Sequence, residues 1–236
     1  MNLVSLEESD FLGVDEVVIN GRRHQHVLQV HRAQVGQKLR VGLIGKNLGW
    51  GEVTELTTNQ VRLRVELKEP PPQAAPVRLV LALPRPKNLA RILQTVTTLG
   101  IKKIALINSW KVDKSFWSSE WLSPTSMRKA CVLGLEQAID TVLPEIDLFP
   151  AFKPFVEDSV REWASGTECY VADPWVKDEH KVSRQEVVTL AIGPEGGFVP
   201  YEFEKFKEQG FLPLRLGHRV LKVEAAIVAL TAPHLI

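Results

Sequence analysis

Gly193-Pro194-Glu195-Gly196-Gly197-Phe198 and Leu216-Gly217-His218-Arg219-Val220-Leu221-Lys222-Val223-Glu224-Ala225-Ala226 are the two stretches whose residue types suit chemistry. The first follows the apolar run Val187 to Ile192, and the second follows Phe211 to Leu216. Proline removes a backbone donor and glycine opens positive φ, so the first stretch cannot continue its strand. Bare glycine backbone at a strand end lets a small molecule reach amide groups directly, which is where α/β proteins bind ligands. Taken alone, these glycines read equally as an ordinary strand-to-helix turn. Their spacing lacks the GxGxxG of a dinucleotide fingerprint, and no Gly-Lys-Ser/Thr follows as in a P-loop. Glu224 falls in the first turn of the helix after the second stretch, where the helix dipole favours a carboxylate with or without a catalytic duty. Lys222 reads as a solvated lysine or as a cation placed for chemistry.

The elements that must position these stretches alternate. Strands are expected over Val77–Leu83, Ile101–Ile107, Cys169–Ala172, Val187–Ile192 and Phe211–Leu216. Helices are expected over Asn88–Leu99, Pro124–Leu143, Pro200–Gln209 and Leu221–Leu235. Gly100 and Gly210 stop two of these helices, and Pro124 and Pro200 open two. Such alternation means an α/β fold, a parallel sheet with helices on its faces. The first seventy residues differ. Val61 to Lys68 alternates strictly apolar and charged, the mark of a half-buried strand. Lys38–Ile44 and Trp50–Leu56 are shorter strands around the turn Gly45–Gly49, and Arg22–Arg32 is helical. Short strands with glycine turns imply a small β-barrel. The proline-rich Glu69–Pro76 is a stiff connector, so 1–70 and 77–236 are expected as two domains.

Composition excludes several classes. A net charge of +1 does not by itself announce nucleic acid. Two cysteines, Cys131 and Cys169, lie far apart with no zinc spacing, which fits a reduced cytoplasmic setting. No apolar run approaches the ~20 residues of a membrane helix, and no basic-then-apolar leader opens the chain. From Val17 to Gly51, however, no acid occurs, while Arg22, Arg23, Arg32, Lys38, Arg40 and Lys46 are basic and His24, His26 and His31 add donors. A one-sign patch of this kind suits a phosphate-tracking surface, or a solvated face balanced by Glu52, Glu55 and Glu66. No metal site is expected at His24 and His26, which lack a carboxylate or cysteine partner nearby. Trp110, Trp117 and Trp121 are aromatics for stacking bases, or packing anchors at a subunit interface.

Together the two glycine-bearing stretches resemble the RsmE family of ribosomal RNA uridine-N3 methyltransferases, within the SPOUT superfamily. The first matches the family's GPEGGF at every position, and the second matches its LGxRILRTETA at Leu216, Gly217, Arg219, Leu221, Glu224 and Ala226. Leu83-Pro84-Arg85-Pro86-Lys87, Glu136-Gln137, Leu143-Pro144-Glu145-Ile146 and Arg23-His24-Gln25-His26-Val27-Leu28 echo further family stretches, so the resemblance spans almost the whole chain.

The resemblance implies a PUA-like N-terminal barrel, a knotted methyltransferase domain, S-adenosylmethionine as cofactor, a homodimer, and ribosomal RNA or the small ribosomal subunit as partner. On motif position it implies that Leu190, Ile192, Gly193, Glu195, Gly196, Gly197, Leu216, Gly217, Val220 and Leu221 hold the cofactor. It implies Lys222 and Glu224 as catalytic residues. Arg22, Arg23, His24, His26, Arg32, Arg85 and Arg219 would contact RNA. Departures fall on polar positions. Lys222 replaces an arginine, Val223 and Ala225 replace threonines, Asp140 replaces the arginine of EQxxR, and Thr95 and Thr98 replace a lysine and a glutamate. Arginine and lysine are not interchangeable at bidentate contacts. The departures leave open a protein of the same fold that binds RNA without turnover, or one that methylates another RNA.

Overall fold

The computed structural model describes residues 2–176 and 187–235. The chain groups into two compact units, 1–73 with 131–143, and 74–130 with 144–236.

The first unit is built on a five-stranded sheet in the order β1-β3-β4-β5-β2. Its strands are β1 (Val4–Leu6), β2 (Glu16–Asn20), β3 (Lys38–Leu43), β4 (Leu48–Leu56) and β5 (Gln60–Glu69). β1 runs parallel to β3 and the other pairs are antiparallel. The sheet curls in the manner of a barrel around Val4, Leu6, Val17, Ile19, Leu39, Val41, Val53, Val61, Leu63 and Val65. β5 carries the alternation read from the sequence: Val61, Leu63 and Val65 are buried while Arg64 and Glu66 are exposed. Helix α1 (Gly21–Gln29) packs Val27 into the same core. It ends at Gln29, short of the expected Arg32, which takes the left-handed backbone conformation at φ 49° and so lies outside any helix.

The second unit is built on a six-stranded parallel sheet, order β11-β9-β10-β6-β7-β8. The strands are β6 (Val77–Ala82), β7 (Lys103–Ile107), β8 (Glu145–Phe149), β9 (Glu168–Ala172), β10 (Val188–Ile192) and β11 (Leu212–Leu214). β10 lies in the middle and all five of its residues are buried, as a strand covered on both faces requires. Its longer helices are α2 (Pro86–Thr98), α6 (Pro200–Glu208) and α7 (Val223–Thr231), while α3 (Pro124–Ala138) begins in this unit and its residues 131–138 group with the first. Short helical turns α4 (Phe152–Pro154) and α5 (Val160–Trp163) flank a π-helical turn, Phe155–Ser159. The expectation of an α/β fold with a parallel sheet and flanking helices therefore holds.

The observed elements differ from the expected ones in two respects. β1, β2, β8 and the helical run from Phe152 to Trp163 were not foreseen. β8 is an edge strand with no fully buried residue, so it carries no apolar signature. Helix α3 ends at Ala138 rather than Leu143. Ile139 adopts φ 57°, and the buried Asp140 carboxylate accepts the N–H groups of Thr141 at 2.6 Å and Val142 at 2.9 Å. Asp140 thus holds the turn that follows the helix inside the first unit rather than presenting charge to solvent.

The last turn holds a pH-sensitive group. His234 is 6 % exposed, and neither of its ring nitrogens nor the Thr231 hydroxyl has a partner among the described residues. Burial lowers the His234 pKa below 6.5, and burial followed by neighbouring positive groups, His31 among them, lowers that of His26. Both histidines are therefore neutral in the fold near pH 7. Below pH 6.5 the unfolded chain takes up protons that the fold resists, so stability is lost as pH falls from 6.5 toward the folded values. Thermal unfolding is expected to show a lower midpoint at about pH 5.5 than at 7.5, with a smaller drop in His234→Phe. Equal drops in the two proteins would contradict this.

Candidate functional site

β9, β10 and β11 end level with one another. Ile192 of β10 is in register with Ala172 of β9, and Ala172 with Leu214 of β11. Chain leaving these three carboxyl ends forms one cleft together with the inner face of α7. Its walls include Ala172, Asp173, Ile192, Gly193, Glu195, Gly197, Leu214, Leu216, Leu221, Val223 and Leu230, around ≈ 620 Å³ of space that opens to solvent. The walls are mostly apolar, with Asp173, Glu195 and Arg219 as the charged side chains among the described lining. A concave apolar site with few polar groups at strand carboxyl ends is the usual form of a small-molecule site in an α/β protein.

The glycine loop is shaped by close backbone approach. The Gly197 N–H donates to the Pro194 carbonyl at 2.7 Å, which folds residues 194–197 into a tight turn. Gly197 has φ 69°. The turn doubles back over Gly193, where an added Cβ would lie 2.7 Å from the Phe198 nitrogen and 3.0 Å from the Gly197 carbonyl carbon. Gly196 faces Lys111, whose ammonium donates to the Gly196 carbonyl oxygen. Glu195 accepts from the Asn88 amide at 3.4 Å and lies 4.0 Å from the Arg85 guanidinium.

Two groups that the sequence reading passed over hold these loops. The Glu202 carboxylate, 2 % exposed, accepts from Ser109 Oγ at 3.0 Å, the Trp110 N–H at 2.7 Å and the Val199 N–H at 3.0 Å. It binds the chain after β7 to the first turn of α6. Arg215 organises the second stretch: it donates to the Gly217 carbonyl at 2.9 Å and the Val176 carbonyl at 3.3 Å, and its Nη2 lies 2.8 Å from His218 Nδ1. Only Glu202's position at the third residue of a proline-led helix hinted at such a role; nothing local singled out Arg215.

Of the residues expected around a cofactor, the cleft gathers Ile192, Gly193, Glu195, Gly197, Leu216, Gly217, Val220 and Leu221. Leu190 lies deeper in β10 and Gly196 on the outer side of the loop, against Lys111. Lys222 is the exposed N-cap of α7, between the lining residues Leu221 and Val223, and its ammonium has no partner among the described residues. Glu224 points to α2 instead. Arg91 Nε donates to it at 2.9 Å, and Thr95 Oγ1 lies 3.5 Å away. This pairing ties the first turn of α7 to α2.

The residues expected to meet RNA separate into two groups. Arg22 forks onto the buried Glu136 carboxylate at 2.6 and 2.8 Å, and Glu136 also accepts from Ser5 Oγ. Arg23 is bidentate on Asp10 and donates to the Ser5 carbonyl. His24 is buried against the Thr57 carbonyl, and His26 is half-buried edge-on to His31. Arg40 and Lys46 are paired with Glu69 and Glu8. Much of the basic run is thus neutralised by acids brought from elsewhere in the first unit. Arg32, Arg85 and Arg219 remain exposed.

Comparisons with known proteins match this arrangement. The family model described as an RNA methyltransferase domain matches residues 71–234. A ribosomal RNA small subunit methyltransferase E from Treponema pallidum is 28 % identical over 238 residues, covering 98 % of this chain and 90 % of that protein. The crystal structure of a ribosomal RNA small subunit methyltransferase E from Neisseria gonorrhoeae, bound to S-adenosyl methionine, superposes with a TM-score of 0.75 at 16 % identity, covering 98 % of this chain and 95 % of that one. A Legionella pneumophila structure holding the same cofactor gives 0.71 at 22 % identity, covering 99 % and 96 %. At such identities the two structures speak for the fold. With the family model spanning the parallel-sheet unit and its cleft, the chain belongs to the RNA methyltransferase family, in its RsmE branch.

Proposed function

We propose that this protein transfers a methyl group from S-adenosylmethionine to N3 of a uridine in small-subunit ribosomal RNA. The observation that carries the reading is the cleft at the carboxyl ends of β9, β10 and β11, closed by a glycine loop with no room for a side chain at Gly193. The residues present suit the cofactor. Ile192, Leu214, Leu221 and Leu230 offer apolar walls for an adenine ring. Backbone groups of 193–197 and 216–221 offer hydrogen bonds, and the Asp173 and Glu195 carboxylates suit hydroxyl and ammonium groups. When bound, the cofactor supplies an electrophilic methyl group on a cationic sulfur.

Uridine N3 lies on the Watson–Crick edge and carries a proton at neutral pH, so the base enters unpaired and must lose that proton. A cation beside the uracil favours the anion, and Lys222 at the mouth of the cleft is the residue for that role. Glu224, held by Arg91, keeps the start of α7 in place. Leu216, Val220, Leu221 and Val228 expose 41, 62, 39 and 40 % of their surface beside the cleft and on α7. That open apolar surface supports a homodimer in which a second copy covers it. A PUA-like role for the first unit, a knotted chain path and a cytoplasmic location belong to the same reading.

Incubation with S-adenosylmethionine and small-subunit ribosomal RNA, followed by mass spectrometry of the nucleosides, is expected to yield 3-methyluridine. Lys222→Ala is expected to lower kcat by at least about 100-fold while cofactor affinity stays within about twofold, as for loss of one electrostatic stabiliser. A different methylated nucleoside would move the target, RNA binding without methyl transfer would leave an assembly protein, and full activity in Lys222→Ala would remove Lys222 from the chemistry.

A further inference from the structure

Trp110 is 83 % exposed, more than Trp175 at 78 % in the same unit, yet its backbone is anchored. Its N–H is held by the buried Glu202 carboxylate at 2.7 Å, and Ser109 before it donates to the same group at 3.0 Å. Lys111 after it donates to the Gly196 carbonyl of the glycine loop. A large indole is thus displayed from a backbone pinned at its own N–H and closed by the Val112 N–H on the Ser109 carbonyl at 2.9 Å. A packing anchor would bury the ring; Trp117, in the same segment, does so partly and donates to Asn108 at 3.0 Å.

Position adds a second observation. In the sheet order β10-β6-β7, the chain after β7 that carries Trp110 leaves the same edge as the glycine loop after β10. Between them, β6 leads to Arg85 and Lys87, both exposed, with Arg85 4.0 Å from Glu195 of the glycine loop. Lys114 is exposed a few residues beyond Trp110, and the exposed Asp113 carboxylate accepts the Ser115 N–H at 2.8 Å. A fixed aromatic face beside cations that can follow phosphates is how proteins hold unpaired nucleic acid. A base that must present its Watson–Crick edge arrives on unpaired strand, which such a face would grip.

We propose that Trp110 is a stacking platform for a base of the RNA strand entering the cleft, held in place by Glu202. The inference rests on the methyltransferase reading for the identity of the ligand. Its test is RNA binding to the full-length protein, with a single-stranded oligouridylate and small-subunit ribosomal RNA as probes and with cofactor affinity followed by calorimetry. Trp110→Ala is expected to weaken binding of both RNAs by about 5- to 100-fold, the range for loss of one stacked base. Trp110→Phe should restore most of it, with S-adenosylmethionine affinity and oligomeric state unchanged in both variants. RNA affinity within about twofold of the parent in Trp110→Ala would overturn the proposal. So would a loss that accompanies dissociation of subunits or loss of cofactor binding, since the ring would then serve packing. If the parent binds no cofactor but Trp110→Ala still loses RNA, the methyltransferase reading fails and the platform stands.

Discussion

Gly193→Ala is expected to weaken S-adenosylmethionine binding by roughly 10- to 100-fold, whereas Gly196→Ala is expected to change it by less than about threefold. The two glycines sit in one loop but meet different neighbours. A methyl group at Gly193 would lie 2.7 Å from the Phe198 nitrogen and 3.2 Å from Gly197 Cα, both backbone atoms of the returning turn. Relief requires the turn itself to open, and the turn forms part of the cleft wall. Forcing extra volume into a closed site costs about 1–3 kcal/mol, and here that cost falls on the residues proposed to meet the cofactor. At Gly196 the added methyl would meet Lys111 Cδ at 2.8 Å, the far part of a flexible side chain that can swing aside. Calorimetric titration of the purified variants decides between them. Equal affinities for parent and Gly193→Ala would mean that the loop does not form the cofactor wall.

The same contrast explains what the sequence disclosed. The glycine loop was readable because its chemistry is local: proline and three glycines after an apolar strand cannot extend a sheet. β5 was readable because strict alternation has only one physical outcome beside a core. Helix α3 was misjudged by five residues because Ile139, Val142 and Leu143 continue an apolar pattern, and apolar character does not encode the φ of 57° that ends the helix at Ile139. The basic run of the first unit was read for its charge, but its partners Asp10, Glu69 and Glu136 come from outside the run. Asp140, read as a charge reversal, is consumed by two backbone N–H groups beside it. Charge signs are legible in a sequence, while the pairing that cancels them is set by the fold. The α/β class, the order of its longer elements and the cleft walls were therefore within reach. The groups that fix the loops were not, since Glu202 lies more than ninety residues from Ser109 and Trp110.

Glu202→Ala is accordingly expected to destabilise the protein by about 2–4 kcal/mol, more than removal of any exposed ion pair. The carboxylate is buried and accepts three hydrogen bonds, from a hydroxyl and two backbone N–H groups. Alanine leaves all three donors in a site shut off from solvent, and each unmade bond to a charged acceptor counts for roughly 1.5–3 kcal/mol before relaxation. The donors belong to two separate segments, so their release frees the chain after β7 from the start of α6. For a chain of this size the loss corresponds to a fall of about 5–15 °C in the thermal midpoint. Glu202→Gln keeps one acceptor oxygen and should fall between parent and alanine. By contrast, Glu204→Ala, which removes only the exposed Lys207 pair on the same helix, should stay within about 0.5 kcal/mol. Calorimetric scans of the three variants test the ranking. A Glu202→Ala midpoint equal to that of Glu204→Ala would show that the buried carboxylate does not hold the two loops together.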